Sequence, residues 1–335
     1  MARSRVGFTR TSLRVGGAVL AAALLTSSGW FVPHPAGAQD KVSVGLIVKT
    51  LSNPFFVAMG GAAKDEAAKK GVTLIYEAGK YDGDNATQTS EMDDLVTRGV
   101  KTIALVPNLS AGIVPAVKRA QAAGVKVLAI DTALDPADLS DSFIATDNLK
   151  AGVLNGKWAK TAMGSTPAKI ALLEGTPGGE VNSDRMNGFL QGFGDPEKHD
   201  VVADEITNGD QGKGQTAMEN ILNAHPDVNL VWTVNEPAAL GAATAIKARG
   251  LTGKIKIVSM DGGCRGVKGV QDGLIDSDVM QFPKKMGQTA VDFAVSVAAG
   301  QSVPKRVDTG ELLITKTSTE GDGTQTLAFG LANCW

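Results

Sequence analysis

The side chains best able to do chemistry in this sequence stand at the ends of apolar runs. Lys49 and Asn53 follow "VSVGLIV" and lead to Phe55 and Phe56, while Asp131 and Thr132 follow "VKVLAI". Asp147 and Asn148 close "SFIAT", Asn235 and Glu236 close "LVWTV", Asp261 closes "IKIVSM" and Gln281 closes "SDVM". Arg185 lies in the segment beyond "KIALLEG". The set holds amides, carboxylates, cations and two aromatic faces. A hydroxyl group donates once and accepts twice, so carboxylates can take its proton while Arg, Lys and Asn supply theirs. Hydrogen bonds to charged groups are the stronger kind, about 1.5–3 kcal/mol each. The C–H faces of a sugar ring pack on aromatic planes. Such an inventory suits a neutral, polyhydroxylated ligand.

The stretch "KTLSNPFF" at 49–56 carries the aromatic part of that case. Adjacent residues on a helix point about 100° apart, so Phe55 and Phe56 are not spaced for a shared core face. With Asn53 as cap and Pro54 in the first turn, both rings would be delivered to the mouth of a cleft. The competing possibility is that they plug a domain core. Each Asp has a plain alternative as well, since Asp after a strand is a common helix cap or turn former. The weight lies in the joint appearance of Asp131, Asp147 and Asp261 at strand ends, with Arg185 and Asn235.

The elements that must position these residues alternate along the chain from residue 41. Strand patterns at "VSVGLIV", "VTLIYEA", "TIALVP", "VKVLAID" and "SFIATD" are followed by a second series, "KIALLEG", "VVADEIT", "LVWTVNE", "IKIVSMDG" and "SDVMQF". Several are near-continuous apolar runs, as parallel strands buried on both faces require. Helix patterns lie between them, such as "FFVAMGGAAKDEAAKKG" and "AGIVPAVKRAQAAG", each ending in glycine (Gly71, Gly124). About ten strand–helix alternations predict an α/β protein of doubly wound parallel sheets. The two series predict two similar domains, and the Gly- and Thr-rich tail after Ser318 reads as loop. In such sheets, ligands bind beyond the carboxyl ends of the strands.

Composition narrows the function classes. Arg3, Arg5, Arg10 and Arg14 precede the apolar run "VGGAVLAAALL", and "AGA" at 36–38 offers small residues for cleavage. Residues 1–38 therefore read as a cleavable secretory signal peptide, too short in its apolar run to span a membrane. Without its four arginines the formal net charge moves from −2 to −6, which argues against a nucleic-acid partner. Cys264 and Cys334 are the two cysteines; export into an oxidising compartment favours one disulfide over two free thiols. That bond is expected to pin the tail beside the second domain without touching the ligand. No metal-ligand spacing occurs, and no G-x-G-x-x-G at the first strand–helix joint, P-loop or G-x-S-x-G elbow. No cofactor is indicated. Of the three histidines, only His199 and His225 lie beyond the leader, and neither ends a strand. An enzyme is therefore not expected, although a glycosidase using two carboxylates is the remote alternative.

The motifs "KTLSNPFF", "LAIDT", "ATDN", "DRMNGF", "WTVNEPAALGA", "VSMDGG" and "QFP" occur in this order along the chain. Together they resemble the periplasmic sugar-binding proteins of ABC importers, of the ribose- and allose-binding type. "AGKYDGDN", "PADLSDSFIATDN", "GGCRGV" and the terminal "CW" are more similar to the fructose-binding branch. The resemblance implies a type I periplasmic binding protein, with two Rossmann-like lobes joined by a three-segment hinge. The implied lobes are 39–146 plus 282–309 and 147–281 plus 310–335. It assigns sugar binding to Lys49, Asn53, Phe55, Phe56, Asp131 and Thr132 in one lobe, and to Arg185, Asn235, Asp261 and Gln281 in the other. It implies a periplasmic monomer that captures a monosaccharide, fructose or a related hexose, and delivers it to an ABC permease. A chemoreceptor or signalling adaptor with the same fold is the alternative; a repressor of the lactose type would begin with a helix-turn-helix instead. Two positions depart from the ribose-type pattern. Thr132 stands where those proteins carry Arg, and Gly209 stands where they carry an aromatic, leaving Tyr81 as a candidate for the missing wall.

Overall fold

The computed structural model describes residues 42–194, 199–321 and 323–335; the expected signal peptide lies outside the described residues. The first series runs β1 (Ser43–Val48), α1 (Pro54–Lys70), β2 (Thr73–Ala78), α2 (Asn85–Thr97), β3 (Thr102–Leu105), α3 (Val114–Ala122), β4 (Lys126–Ile130) and β5 (Ser142–Ala145). The second runs α4 (Asn148–Met163), β6 (Ala168–Glu174), α5 (Glu180–Phe193), β7 (His199–Ile206), α6 (Gln211–Ala224), β8 (Leu230–Thr233), α7 (Glu236–Ala248), β9 (Lys256–Asp261), α8 (Cys264–Asp272) and β10 (Ser277–Met280). Then come α9 (Pro283–Ala298), β11 (Arg306–Asp308), β12 (Leu312–Thr315), β13 (Thr324–Gln325) and α10 (Leu327–Asn333).

These strands form two sheets, ordered β11-β5-β4-β3-β1-β2 and β13-β12-β10-β9-β8-β6-β7. The core order around β1 recurs around β6, so the two series are two copies of one winding pattern. Pairing is parallel throughout except between β10 and β12. Alternate residues of each central strand feed opposite cores, which is why the runs are apolar without a break. In β1, Val44, Leu46 and Val48 pack with α1 and α9, while Ile47 packs with Met92, Leu95 and Val117 on the other face. The second sheet is likewise sandwiched, with Leu173, Val231 and Ile257 on one side and Leu172, Trp232 and Val258 on the other.

The chain passes between the sheets three times, after β5, after β10 and between β11 and β12. The crossings are tied together. Thr309 N–H donates to Ala145 O at 2.9 Å, and Lys285 Nζ donates to Thr309 O at 3.1 Å.

Helices α4 and α5 meet along a seam of glycines. A Cβ on Gly152 would stand 2.3 Å from Arg185 O, on Gly156 2.1 Å from Phe189 O, and on Gly188 2.2 Å from Leu149 O. Only hydrogen on those Cα atoms allows the backbones this close.

The tail differs from expectation. Beyond Ser318 it is not simply loop: Thr324–Gln325 extends the second sheet and Leu327–Asn333 is helical. The Thr326 hydroxyl caps that helix by accepting from Phe329 N–H at 3.1 Å. Leu327 and Phe329 then pack on Val267, Met280 and Ile314, apolar contacts hidden in a Gly/Thr-rich stretch.

Candidate functional site

The carboxyl ends of the two sheets share one cavity. About 40 Å3 of free space lies between its walls. Lys49, Asn53, Phe55, Phe56, Asp82 and Asp131 line it from the first lobe. Gly175, Thr176, Gly179, Val181, Asn182, Arg185, Gly209, Val234, Asn235 and Asp261 line it from the second, and Gln281 from a crossing segment.

On the first side, Asn53 Oδ1 caps α1 by accepting from Phe55 N–H at 2.9 Å, with Pro54 in the first turn. Phe55 and Phe56 are 2% and 3% exposed and belong to the first-lobe core, yet both also line the cavity. Core plug and ligand wall are thus the same two rings, packed edge to face with centroids 5.3 Å apart. Asp131 sits at φ +62°, and Thr132 N–H donates back to Ile130 O at 2.6 Å, a tight three-residue turn. Such a conformation is costly for a non-glycine residue, about 1–3 kcal/mol. It places Asp131 on the cavity wall, whereas Thr132, fully buried, is absent from the lining and donates its hydroxyl to Asp131 Oδ2 at 3.2 Å. Burial raises the Asp131 carboxyl above the usual range, against the pull of Lys49 and Arg185.

The second side is a connected polar network. Arg185 donates from Nε to Asn148 Oδ1 and from Nη1 to Val234 O, both at 2.8 Å, and lies 3.8 Å from Asp261 Oδ1. Asp261 also accepts from Gln281 Nε2 at 2.8 Å and from Glu236 N–H at 3.3 Å. Its φ is +141°, so Asp261, like Asp131, occupies positive-φ backbone. Burial pushes the Asp261 carboxyl up to about 7, with Arg185 opposing, and pushes Glu236 up to about 7 as well. Asn235 caps α7 through Oδ1, and its Nδ2 donates to Gly209 O at 3.2 Å. Gln281 Oε1 is buried with no hydrogen-bond partner among the described residues. A buried acceptor left unpaired costs about 1–3 kcal/mol, and this one belongs to a cavity-lining side chain.

Nine of the ten residues proposed from the sequence line the cavity, and Thr132 stands behind Asp131. Asp147 is a helix cap, accepting from Lys150 N–H at 3.0 Å. Asp82 and Asn182 were not foreseen. Asp82 Oδ1 accepts from Thr176 Oγ1 at 2.8 Å across the cleft, and Asn182 bridges Gly175 N–H and Glu174. Asp82 lies within "AGKYDGDN", and "GTPGGE" just before Asn182 brings Gly175, Thr176 and Gly179 to the wall. Tyr81 does not supply a second aromatic wall: it is 60% exposed in the outer mouth of the cleft. Val181 and Val234 are apolar side chains that line the cavity from the second lobe. Gly209 has φ +63°, and a Cβ on it would stand 2.4 Å from Asn235 Nδ2, so Asn235 fills the space. Cys264 and Cys334 are disulfide-bonded, with Cα atoms 4.9 Å apart.

Two opposed half-sites at strand ends, with hydroxyl-matching groups on each, agree with what comparison with known proteins finds. The ribose import binding protein of Bacillus subtilis is 33% identical over 289 residues, 86% of this chain and 92% of that one. A solute-binding protein of Actinobacillus succinogenes with bound D-allose superposes with a TM-score of 0.76 at 27% identity, covering 82% of this chain and 98% of that one. Another, from Agrobacterium vitis with α-D-tagatopyranose, gives 0.77 at 25% identity, covering 82% and 95%. Residues 44–302 match the periplasmic binding protein domain, and the chain belongs to that family.

Proposed function

We propose that this protein is a non-enzymatic receptor that encloses one monosaccharide between its lobes and delivers it to an ABC permease. The observation that carries this reading is the pair of buried carboxylates, Asp131 and Asp261, one from each lobe in a single cavity. Both sit at strained strand ends. Each can accept a proton from a sugar hydroxyl, while Lys49, Arg185 and the Asn53 amide donate. A ligand hydroxyl donating to Gln281 Oε1 would pair its unpartnered acceptor. Phe55 and Phe56 offer the apolar surface for a ring face.

Fructose or a related hexose is the favoured cargo. Support comes from the fructose-branch motifs and from the Agrobacterium vitis relative, whose α-D-tagatopyranose is a ketohexose like fructose. The proposed lobes are 39–146 with 282–309 and 147–281 with 310–335. The protein would act as a periplasmic monomer, released from its 1–38 signal peptide. Each lobe holds only part of the hydrogen-bonding set, so ligand would shift the population toward the closed arrangement.

Calorimetry against D-fructose, D-tagatose, D-allose, D-ribose and D-fucose tests the reading. Binding tighter than about micromolar by at least one sugar is expected, with a smaller radius of gyration in scattering at saturation. Failure of every monosaccharide to bind below about millimolar would sink it.

A further inference from the structure

The last residue of the sequence touches a part of the molecule to which its own segment does not belong. The tail is mounted on the second lobe. Helix α10 packs Gly330 between Ile314 and Val267, and Cys334 is bonded to Cys264 at the start of α8. Cys264 N–H donates to Trp335 O at 3.1 Å. Yet the Trp335 indole packs on the first-lobe core, edge-on to Phe55 with ring centroids 5.5 Å apart. Its Nε1 donates to Gln281 O at 3.2 Å, on the crossing after β10. Phe55 and Gln281 both line the cavity; Trp335 does not.

We propose that Trp335 is a positioning residue of the ligand site, a brace fastened by the Cys264–Cys334 bond that holds Phe55 and Gln281 in their ligand-facing positions. The claim deepens the sugar-binding reading and rests on it for the nature of the ligand. The logic is mechanical. Phe55 belongs to one lobe and the anchor of Trp335 to the other, so their contact exists only when the lobes are in this relative arrangement. Edge-to-face packing therefore favours the enclosed state and fixes the Phe55 ring, while the indole N–H holds the backbone whose side chain carries the unpaired Gln281 Oε1. Without the disulfide the seven-residue helix is the tail's main remaining hold, and chain ends fray unless tied down. This differs from a tail pinned away from the ligand: the bond itself does not reach the cavity, but the residue next to it supports the wall.

The test compares Trp335→Ala, Trp335→Phe and the double variant Cys264→Ser/Cys334→Ser with the unaltered protein. The probe is whichever of D-fructose, D-tagatose or D-allose binds the unaltered protein most tightly. An aromatic pair of this kind translates to roughly a two- to tenfold loss of affinity in Trp335→Ala, appearing as faster dissociation. Trp335→Phe should recover most of it, and the cysteine variant should resemble Trp335→Ala. Without any sugar, hydrogen exchange at the Phe55, Phe56 and Gln281 amides should quicken in Trp335→Ala. Affinity within twofold of the unaltered protein, with only the melting temperature lowered, would overturn the proposal by making Trp335 a plug for the tail. Unchanged exchange at those amides would overturn the brace directly. If none of the three sugars binds the unaltered protein, the sugar reading fails, and the exchange measurement still decides whether Trp335 braces Phe55.

Discussion

The two halves of the cavity are built on different principles. The second-lobe half is a connected network in which Asn148, Arg185, Asp261 and Gln281 occupy one another, while Asn235 is held separately by Gly209 and the start of α7. The first-lobe half has less such wiring: it contributes two edge-to-face rings, a buried lysine, the Asn53 cap, Asp131 on a tight turn and Asp82, whose partner Thr176 lies across the cleft. A wired half is preorganised but brittle, because removing one member leaves others buried and unpaired. An apolar half tolerates variation in hydrogen bonding but is sensitive to volume.

That contrast can be broken first at Arg185. Arg185→Ala leaves the Asp261 carboxylate, Asn148 Oδ1 and Val234 O without their cation or donor. Breaking a buried pair in this way costs about 3–5 kcal/mol. A large fall in denaturation midpoint together with loss of sugar binding is expected; a variant of normal stability would show that the network is dispensable. Next come the rings. Phe55→Ala and Phe56→Ala each open a core void, with a stability loss of about 3–5 kcal/mol, and should also weaken binding because each ring lines the cavity. Chemical denaturation and calorimetry on the same samples separate the two effects, and intact affinity would return that ring to the core alone.

The carboxylates should show a smaller effect, on affinity. Asp131→Ala and Asp261→Ala leave ligand hydroxyls unpaired, about 1–3 kcal/mol each, roughly a ten- to hundredfold rise in Kd. Wild-type affinity in both would make them turn formers only. The mildest perturbation is pH. Asp261 and Glu236 are pushed up to about 7 by burial, far above an unfolded carboxyl near 4. Between those values the folded protein holds protons that the unfolded chain has released, so these groups make stability fall as pH rises from about 4 to 7. The ligand-free melting temperature should therefore be higher at pH 5.5 than at pH 8, with a flatter profile in Asp261→Asn. Affinity should run the opposite way, tightening as pH rises through 7, because a donating hydroxyl favours the ionised Asp261. An affinity that weakens over that range would refute this role.

Much of this was legible in the sequence because central strands buried on both faces leave apolar runs, and all ten segments read as strands are strands, the partly exposed edge strands β2 and β7 included. The residues that end them fall at the cavity by topology alone. Thr132 shows the limit: it adjoins Asp131 in sequence, but the turn that puts Asp131 on the cavity wall keeps its neighbour behind. Asp82 was hidden because it lies beyond β2 in a loop and is bonded to the second lobe through Thr176, a pairing 94 residues apart. Strands β11 and β13 are three and two residues long, too short for periodicity to register.

The glycine seam between α4 and α5 has a consequence for leverage. Helix α4 begins at the first crossing and α5 carries the guanidinium that grips Asp261. With hydrogens alone between their backbones, the two helices have no compressible layer of side chains in which a rotation could be lost. A few degrees of swing at Thr146–Asp147 would reach the Arg185 fork almost undiminished, as the far end of a stiff rod follows its pivot. Gly152→Ala would insert a spacer at the fulcrum, shifting where the jaw bites without altering any residue on its biting surface.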